Sequence, residues 1–202
     1  MIDDPIIERV YDALDGLSGL IPREVGVALH ALAMLVPADL AIVELGSFKG
    51  KSTCFLASGA VHGNGAHVYA FDAWDLPDNE TGRFGFAEPG VRNTFDAQVA
   101  RMGLSEQVTA TRAHSADAGR TWLGPPVGLL YVDGDHTAKG VRRDVDAWLG
   151  HLAPGGLIAF DDYGTPRNPG VALVVDEMVA NGAFFDFNVT AGRLAVGVLP
   201  NG

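Results

Sequence analysis

The stretch Leu129–His136, LLYVDGDH, limits what this chain can fold into more than any other. An apolar run closed by acids and a glycine reads as a strand buried on both faces, since a strand with one wet face would alternate apolar and polar residues. Asp133, Asp135 and His136 then fall at its C-terminal end. Gly156–Tyr163, GLIAFDDY, repeats the design and ends in Asp161 and Asp162. Open α/β sheets place their ligand crevice outside the carboxyl ends of the strands. The two polar ends are therefore expected to face one crevice.

Around these segments, strand-like and helical stretches alternate. Leu40–Leu45, Ala66–Phe71, Gln107–Thr111, Val127–Val132 and Leu157–Phe160 read as strands. Lys51–Val61, Val91–Met102, Val141–Leu152 and Val171–Val179 read as helices. Phe184–Val189 and Arg193–Leu199, joined by Thr190-Ala191-Gly192, read as an antiparallel hairpin at the sheet edge. Two amphipathic helices, one over residues 4–17 and one between Pro22 and Pro37, come before the alternation. Strands alternating with helices imply a parallel sheet covered on both faces. The expected fold is α/β: a Rossmann-like, doubly wound, seven-stranded, mostly parallel sheet with a C-terminal antiparallel hairpin and an N-terminal helical extension. Residues 1–202 are expected to form a single domain, with helices in 1–38 and the core in 39–202.

Charge narrows the partners. Lys and Arg number 14 against 25 Asp and Glu, a formal charge of −11. No basic run exists to follow a phosphate backbone, so a nucleic-acid partner is not expected. A small neutral or cationic partner is easier to accommodate. The single cysteine, Cys54, cannot form an intrachain disulfide and sits among apolar helical neighbours as a small buried residue. The N-terminus lacks the features of a signal peptide, and no stretch approaches the ~20 apolar residues of a membrane helix. The expectation is a cytoplasmic protein without a membrane partner.

Between the first strand and its helix lies Glu44-Leu45-Gly46-Ser47-Phe48-Lys49-Gly50. Gly46 and Gly50 allow a tight turn close to a ligand, and the N–H groups of the next helix point into the same space. Asp72 ends the second strand, 22 residues after Gly50, where an acid accepts hydrogen bonds from a ribose diol. These features admit NAD or S-adenosylmethionine (SAM). The turn lacks G-x-G-x-x-G spacing, and Glu44 would repel a diphosphate but attract an ammonium, which favours SAM. The plainer alternative is a tight turn with Glu44 as a cap.

Asp133 and Asp161-Asp162 end neighbouring strands if the usual crossover joins them. Strands lie ~4.8 Å apart, so three carboxylates there repel unless a cation separates them. All-oxygen ligands select a hard divalent ion, Mg²⁺ first, with Mn²⁺ or Ca²⁺ as alternatives. Such an ion would acidify a substrate hydroxyl, and His136 could take the proton, with Asp135 as the competing base. Against this, Asp135 or Thr137 could cap the helix near Ala138, and Asp161-Asp162 could form an Asx turn. Trp74, Phe84 and Phe86 in the aperiodic loop 74–90 are candidates for a pocket lining, as is His114-Ser115 after the third strand.

The segments IVELGSFKGKST, FDAW and LLYVDGDHTAKGVRRDVDAWLGHLAPGGLIAFDDY together resemble the class I SAM-dependent methyltransferases. The closer resemblance is to a metal-dependent branch that methylates hydroxyls of macrolide and aminocoumarin sugars, and to small mycobacterial enzymes that methylate mannosides. It implies that Glu44, Gly46, Ser47, Gly50, Ser52 and Thr53 surround the methionine part of the cofactor. Asp72 would hold the ribose, and Trp74 and Ser115 would flank the adenine. Asp133 would border the methyl donor, and Asp133, Asp161 and Asp162 would bind Mg²⁺ (or Mn²⁺), with His136 or Asp135 as general base. It also implies a homodimer whose N-terminal helices help enclose the site. Phe48 departs from the broad class, where many members carry a middle glycine.

The function expected is therefore SAM- and Mg²⁺-dependent O-methylation of a small molecule, a sugar or glycoside first. A catechol or phenol acceptor, a non-catalytic nucleoside-binding protein and a nicotinamide-dependent oxidoreductase are the alternatives.

Overall fold

The computed structural model describes residues 5–74, 76 and 90–201. Two helices, α1 (Pro5–Asp15) and α2 (Arg23–Leu35), lead into the alternating core. The core runs β1 (Ala41–Leu45), α3 (Lys51–His62), β2 (Val68–Asp72), α4 (Val91–Arg101), β3 (Val108–Arg112), α5 (Ser115–Arg120), β4 (Val127–Val132), α6 (Ala138–Trp148), β5 (Leu152–Phe160) and α7 (Pro169–Ala180). The chain closes with β6 (Asp186–Thr190) and β7 (Leu194–Val198).

The seven strands form one sheet in the order β3-β2-β1-β4-β5-β7-β6. The first five are parallel, and β7 runs antiparallel to both β5 and β6. The chain thus forms the expected α/β sheet, with its strand order reversing between β1 and β4. A crevice opens at such a reversal.

Strand side chains alternate between the two faces, which gives two cores. Ile42, Leu129, Tyr131 and Ala159 face α1 to α4 with Leu14, Leu29, Phe55 and Phe95. Val43, Leu45, Leu130 and Phe160 face α5 to α7 with Trp148, Val145 and Val175. β1 and β4 are buried along their whole length, as their apolar runs require. The N-terminal helices pack on the core of their own chain. Contact between α2 and α3 is close because glycines line it. A Cβ on Gly59 would lie 2.2 Å from the His30 carbonyl oxygen, and one on Gly26 would overlap Phe55.

Three elements differ from expectation. α5 is six residues long, too short to show an apolar stripe in sequence. β5 begins at Leu152 rather than Leu157, because Pro154-Gly155-Gly156 reads as a break but is carried through the strand by an irregularity in the pairing with β4. Correspondingly, α6 spans Ala138–Trp148 and ends in a 3-10 turn at Leu149–His151.

Candidate active site

A cleft of about 890 Å³ opens at the C-terminal ends of β1, β2, β4 and β5. That size suits a small-molecule ligand. Its floor depends on Gly46, which takes φ +92°, and whose Cβ would lie 2.2 Å from the Asp133 carbonyl oxygen. No side chain fits there, so the turn after β1 packs directly against the end of β4. The Gly46 N–H donates to Phe71 and the Asp133 N–H to the Leu45 carbonyl, which carries the ladder past the strand ends.

Asp72 organises the β2 side. One carboxylate oxygen accepts the Phe48 N–H at 2.7 Å and the other the Trp74 N–H at 2.6 Å. Both donors sit on residues with positive φ, 44° each. That left-handed backbone costs a non-glycine residue on the order of 1–3 kcal/mol, and the bonds to the carboxylate help hold it. The Trp74 indole N–H donates to the Phe48 carbonyl, and the ring meets Phe95 edge-on. Phe84 and Phe86 lie outside the described residues.

Beneath the turn, Glu44 is fully buried on the α3 face of β1 and accepts a hydrogen bond from the Thr53 hydroxyl. Burial pushes its carboxyl up to about 7, against the opposing pull of the Ser52, Thr53 and Ser47 hydroxyls. Glu44 Oε1 and Ser47 Oγ have no hydrogen-bond partner among the described residues. Buried polar atoms are rarely left so. Ser47 and Ser52 line the cleft, and so does Lys51, whose ammonium pairs with Asp15 of α1 at 2.8 Å. Gln98 of α4 binds the Ser18 N–H and carbonyl and the Lys49 carbonyl, tying the α1–α2 connection to the turn. Gly19, Leu20 and Ile21 of that connection form one wall.

At the opposite wall, the Ser115 hydroxyl donates to Asp144 of α6 at 2.5 Å. Asp144 is fully buried, its second oxygen has no partner among the described residues, and burial pushes its carboxyl up to about 6. Cys54 is buried and its thiol is pushed up to about 12, consistent with a packing role.

The β4 and β5 ends meet as expected. Val132 is paired with Phe160, so the next residues, Asp133 and Asp161, stand side by side. His136 Nε2 lies 3.1 Å from Asp133 Oδ1 and 3.5 Å from Asp162 Oδ2. The Tyr131 hydroxyl donates to Asp133 Oδ2 at 3.1 Å. Asp133 holds the His136 pKa above the ordinary imidazole value, while burial raises Asp133 above the usual carboxylate range. Asp135 is exposed and accepts the Thr137 N–H at 2.9 Å, while Thr137 accepts from Gly140 at the start of α6. Thr137 is thus the cap of α6, and Asp135, with one oxygen on the Thr137 N–H, borders the cleft.

The acids do not form an open cradle. Asp161 is bound by the Arg193 fork, Nε to Oδ1 at 2.9 Å and Nη2 to Oδ2 at 2.8 Å. Arg193 Nη2 also contacts Asp162 Oδ1, and the Asn168 amide donates to Asp162 Oδ2. All six carboxylate oxygens of Asp133, Asp161 and Asp162 therefore have protein partners. No group of three or more His, Cys, Asp or Glu among the described residues could hold a metal ion. As arranged, these residues do not fit the Mg²⁺ (or Mn²⁺) expected of them. Arg193, Asn168, Asp144 and Gln98 were not signalled by local sequence; each acts across a distance in the chain that only the topology closes.

The sequence matches the model of a family described as a methyltransferase domain over residues 43–163. The chain belongs to that methyltransferase family. The match spans β1 through the Asp161-Asp162 pair, the same segment that supplies most of the cleft. Among solved structures, this methyltransferase is similar to cofactor-bound Rv0187 from MTB, with TM-score 0.66 and 18% identity over 99% of this chain and 92% of that one. It is similar to the O-methyltransferase TomG from Streptomyces achromogenes, involved in tomaymycin synthesis and solved in complex with SAM (0.65, 16% identity, 98% and 91% of the two chains). It also resembles the O-methyltransferase from Bacillus cereus in complex with SAH (0.65, 17%, 98% and 92%). At these identities the likeness is one of fold. No helix among the described residues is long and apolar enough to cross a membrane.

Proposed function

We propose that this methyltransferase moves a methyl group from SAM to a hydroxyl of a small molecule, a sugar or glycoside in the first instance. The observation that carries the reading is a single cleft. It joins a glycine turn and a ribose-type acid on one side to a His136–Asp133 pair on the other. The SAM- and SAH-bound neighbours support the cofactor, and the O-methyltransferases among them support oxygen as the acceptor.

The residues of the β1–β2 side suit an aminoacyl nucleoside. Glu44 Oε1 and Ser47 Oγ are buried and unpartnered among the described residues, an acceptor and a donor for an ammonium and a carboxylate. Asp72 retains lone pairs for a ribose diol, and Trp74 and Ser115 border the cleft where an adenine would lie. When bound, SAM supplies a methyl carbon on a positively charged sulfur.

On the other side, with His136 Nε2–H donating to Asp133, Nδ1 is left as the accepting nitrogen. The acceptor oxygen forms its bond to the methyl carbon as the carbon–sulfur bond breaks, and the hydroxyl proton passes to His136 Nδ1. Asp133 stabilises the imidazolium so formed. Asp135, with one oxygen on the Thr137 N–H, is given no part in this step. No step passes through a divalent ion, because the acids that would bind one are already paired. A homodimer is retained as part of the proposal, to be read by sedimentation.

The test is a methyl-transfer screen with purified protein, isotope-labelled SAM, and sugars, glycosides and phenols as acceptors, read by mass spectrometry. A labelled methyl ether on a sugar hydroxyl is expected. Transfer to phenols alone would move the acceptor class, and no SAM binding at all would overturn the reading.

A further inference from the structure

We infer that Arg193 takes the place of a divalent cation in this site, so the chain needs no metal ion to hold Asp133, Asp161 and Asp162 together. Arg193 then acts as the positioning residue of the acceptor side. The inference departs from the metal dependence of the branch the sequence resembles, and its link to turnover rests on the proposed methyl transfer.

Three ionised carboxylates at one strand-end site repel one another unless positive charge compensates them. The structure supplies that charge from within. The guanidinium spans both oxygens of Asp161, whose side chain is only 1% exposed, and reaches Asp162 with the same Nη2. A planar fork on a carboxylate is the strongest geometry available to this pair, and a guanidinium stays charged at any working pH. Burial alone would lower the Arg193 pKa, but Asp161, Asp162 and Asp133 raise it. A hard ion such as Mg²⁺ demands oxygens at ~2.1 Å in near-octahedral array. On Asp161 it would meet a guanidinium already bound to both oxygens and be repelled by it.

The backbone holds the guanidinium there. Phe160 is paired with Ala195 in the antiparallel β5–β7 ladder, so Arg193, immediately before β7, is brought opposite Asp162. The Tyr163 N–H donates to the Arg193 carbonyl at 2.9 Å, fixing the arginine's main chain to the residue after the acid pair. Arg193 lines the cleft, and its Nη1 donors take no acceptor among the described residues. Those donors remain for an acceptor oxygen, a task that a metal would otherwise perform by coordination.

The decisive experiment needs no acceptor. Wild-type protein and Arg193→Ala are titrated with Mn²⁺, followed by electron paramagnetic resonance and calorimetry, in the presence of SAH. Circular dichroism and SAH affinity report whether the variant is folded. The wild type is expected to show no stoichiometric Mn²⁺ site, and its methyl transfer is expected to survive EDTA unchanged. Arg193→Ala, with its acids released, is expected to gain one Mn²⁺ equivalent and to lose at least tenfold in turnover under EDTA. Stoichiometric Mn²⁺ binding by the wild type that Asp161→Asn removes would overturn the inference. So would a folded Arg193→Ala that neither gains Mn²⁺ nor loses turnover. If that variant fails to fold, the wild-type titration still decides. Failure to bind SAH would sink the proposed function but leave the Mn²⁺ result standing, so the two failures are distinguishable.

Discussion

The two sides of the cleft are made of different materials. The β1–β2 side brings together backbone N–H groups held by the half-buried Asp72, a glycine-dependent close approach and the buried Glu44, one oxygen of which has no partner among the described residues. At the β4–β5 side it is built from charged side chains that have already satisfied one another, with Arg193 and His136 among Asp133, Asp161 and Asp162. The first side leaves Glu44 Oε1 and Ser47 Oγ without partners among the described residues; on the second, all six carboxylate oxygens of the three acids have partners. A site waiting for a polar cofactor should lose affinity when its acids are altered. A site preset for chemistry should lose rate.

His136→Ala is the sharpest way to test that division. Removing a general base costs typically 10²- to 10⁴-fold, so kcat is expected to fall within that range while the Kd for SAM, measured by calorimetry, stays within about twofold. A comparable loss of SAM affinity would erase the distinction between the two sides. Because Asp133 holds the His136 pKa above the ordinary imidazole value, wild-type turnover should rise with pH as the base loses its proton, with a midpoint above that value.

Asp72→Ala is the converse. The carboxylate holds two backbone N–H groups, and the proposed function assigns it the ribose diol as well. Hydrogen bonds to a charged group are each worth about 1.5–3 kcal/mol, so SAM affinity should drop by roughly 10²-fold. Loss of turnover at saturating SAM should be much smaller. An unchanged Kd would remove Asp72 from the site.

Glu44 gives a pH signature in cofactor affinity. Its folded-state carboxyl, pushed up to about 7, lies above its unfolded value, so its contribution to stability is full below the unfolded pKa and is lost as pH rises through about 7. That loss amounts to roughly 3 kcal/mol for the free protein. A bound ammonium favours the charged form, so SAM affinity should rise between about pH 6 and pH 8 while the free protein's thermal stability falls. Glu44→Gln should flatten both slopes. A variant that keeps the wild-type pH dependence of SAM binding would show that no ammonium meets Glu44.

How much of this was legible in the sequence follows the same division. The β1–β2 side is a local motif. ELGSFKG carries its own turn, and Asp72 is marked by its place at the end of a strand, so pattern and register suffice. The departure at Phe48 was visible too, but not that it takes the left-handed backbone a glycine would, held by Asp72. On the β4–β5 side the three acids were legible and their neutraliser was not. Arg193 lies about thirty residues beyond Asp161, and only the insertion of β7 between β5 and β6 sets it opposite the pair. Reading acids without their topological partner leaves a metal as the natural counter-charge. The sequence offers Asp135 or Thr137 as the cap of α6, and the structure gives that place to Thr137, with Asp135 accepting the Thr137 N–H.

Ser115 sits between the two sides, and its variant is the mildest and most discriminating. Its hydroxyl donates to Asp144, whose other oxygen is buried without a partner among the described residues. With its proton so committed, Ser115 Oγ presents only lone pairs to the cleft. Ser115→Ala removes that acceptor and also the donor that favours the charged form of Asp144. SAM affinity should fall about fivefold, in line with the ~1 kcal/mol of a neutral hydrogen bond. The Asp144 carboxyl, already raised to about 6 by burial, should rise further. The stability lost should therefore be larger above that pH, where the wild-type carboxylate is charged, than below it, where the group is protonated in both proteins. Thermal melts of the two proteins at about pH 5 and pH 8 read this difference directly. A loss equal at both would mean that the Ser115–Asp144 bond serves only packing, and would move Ser115 out of the cofactor side altogether.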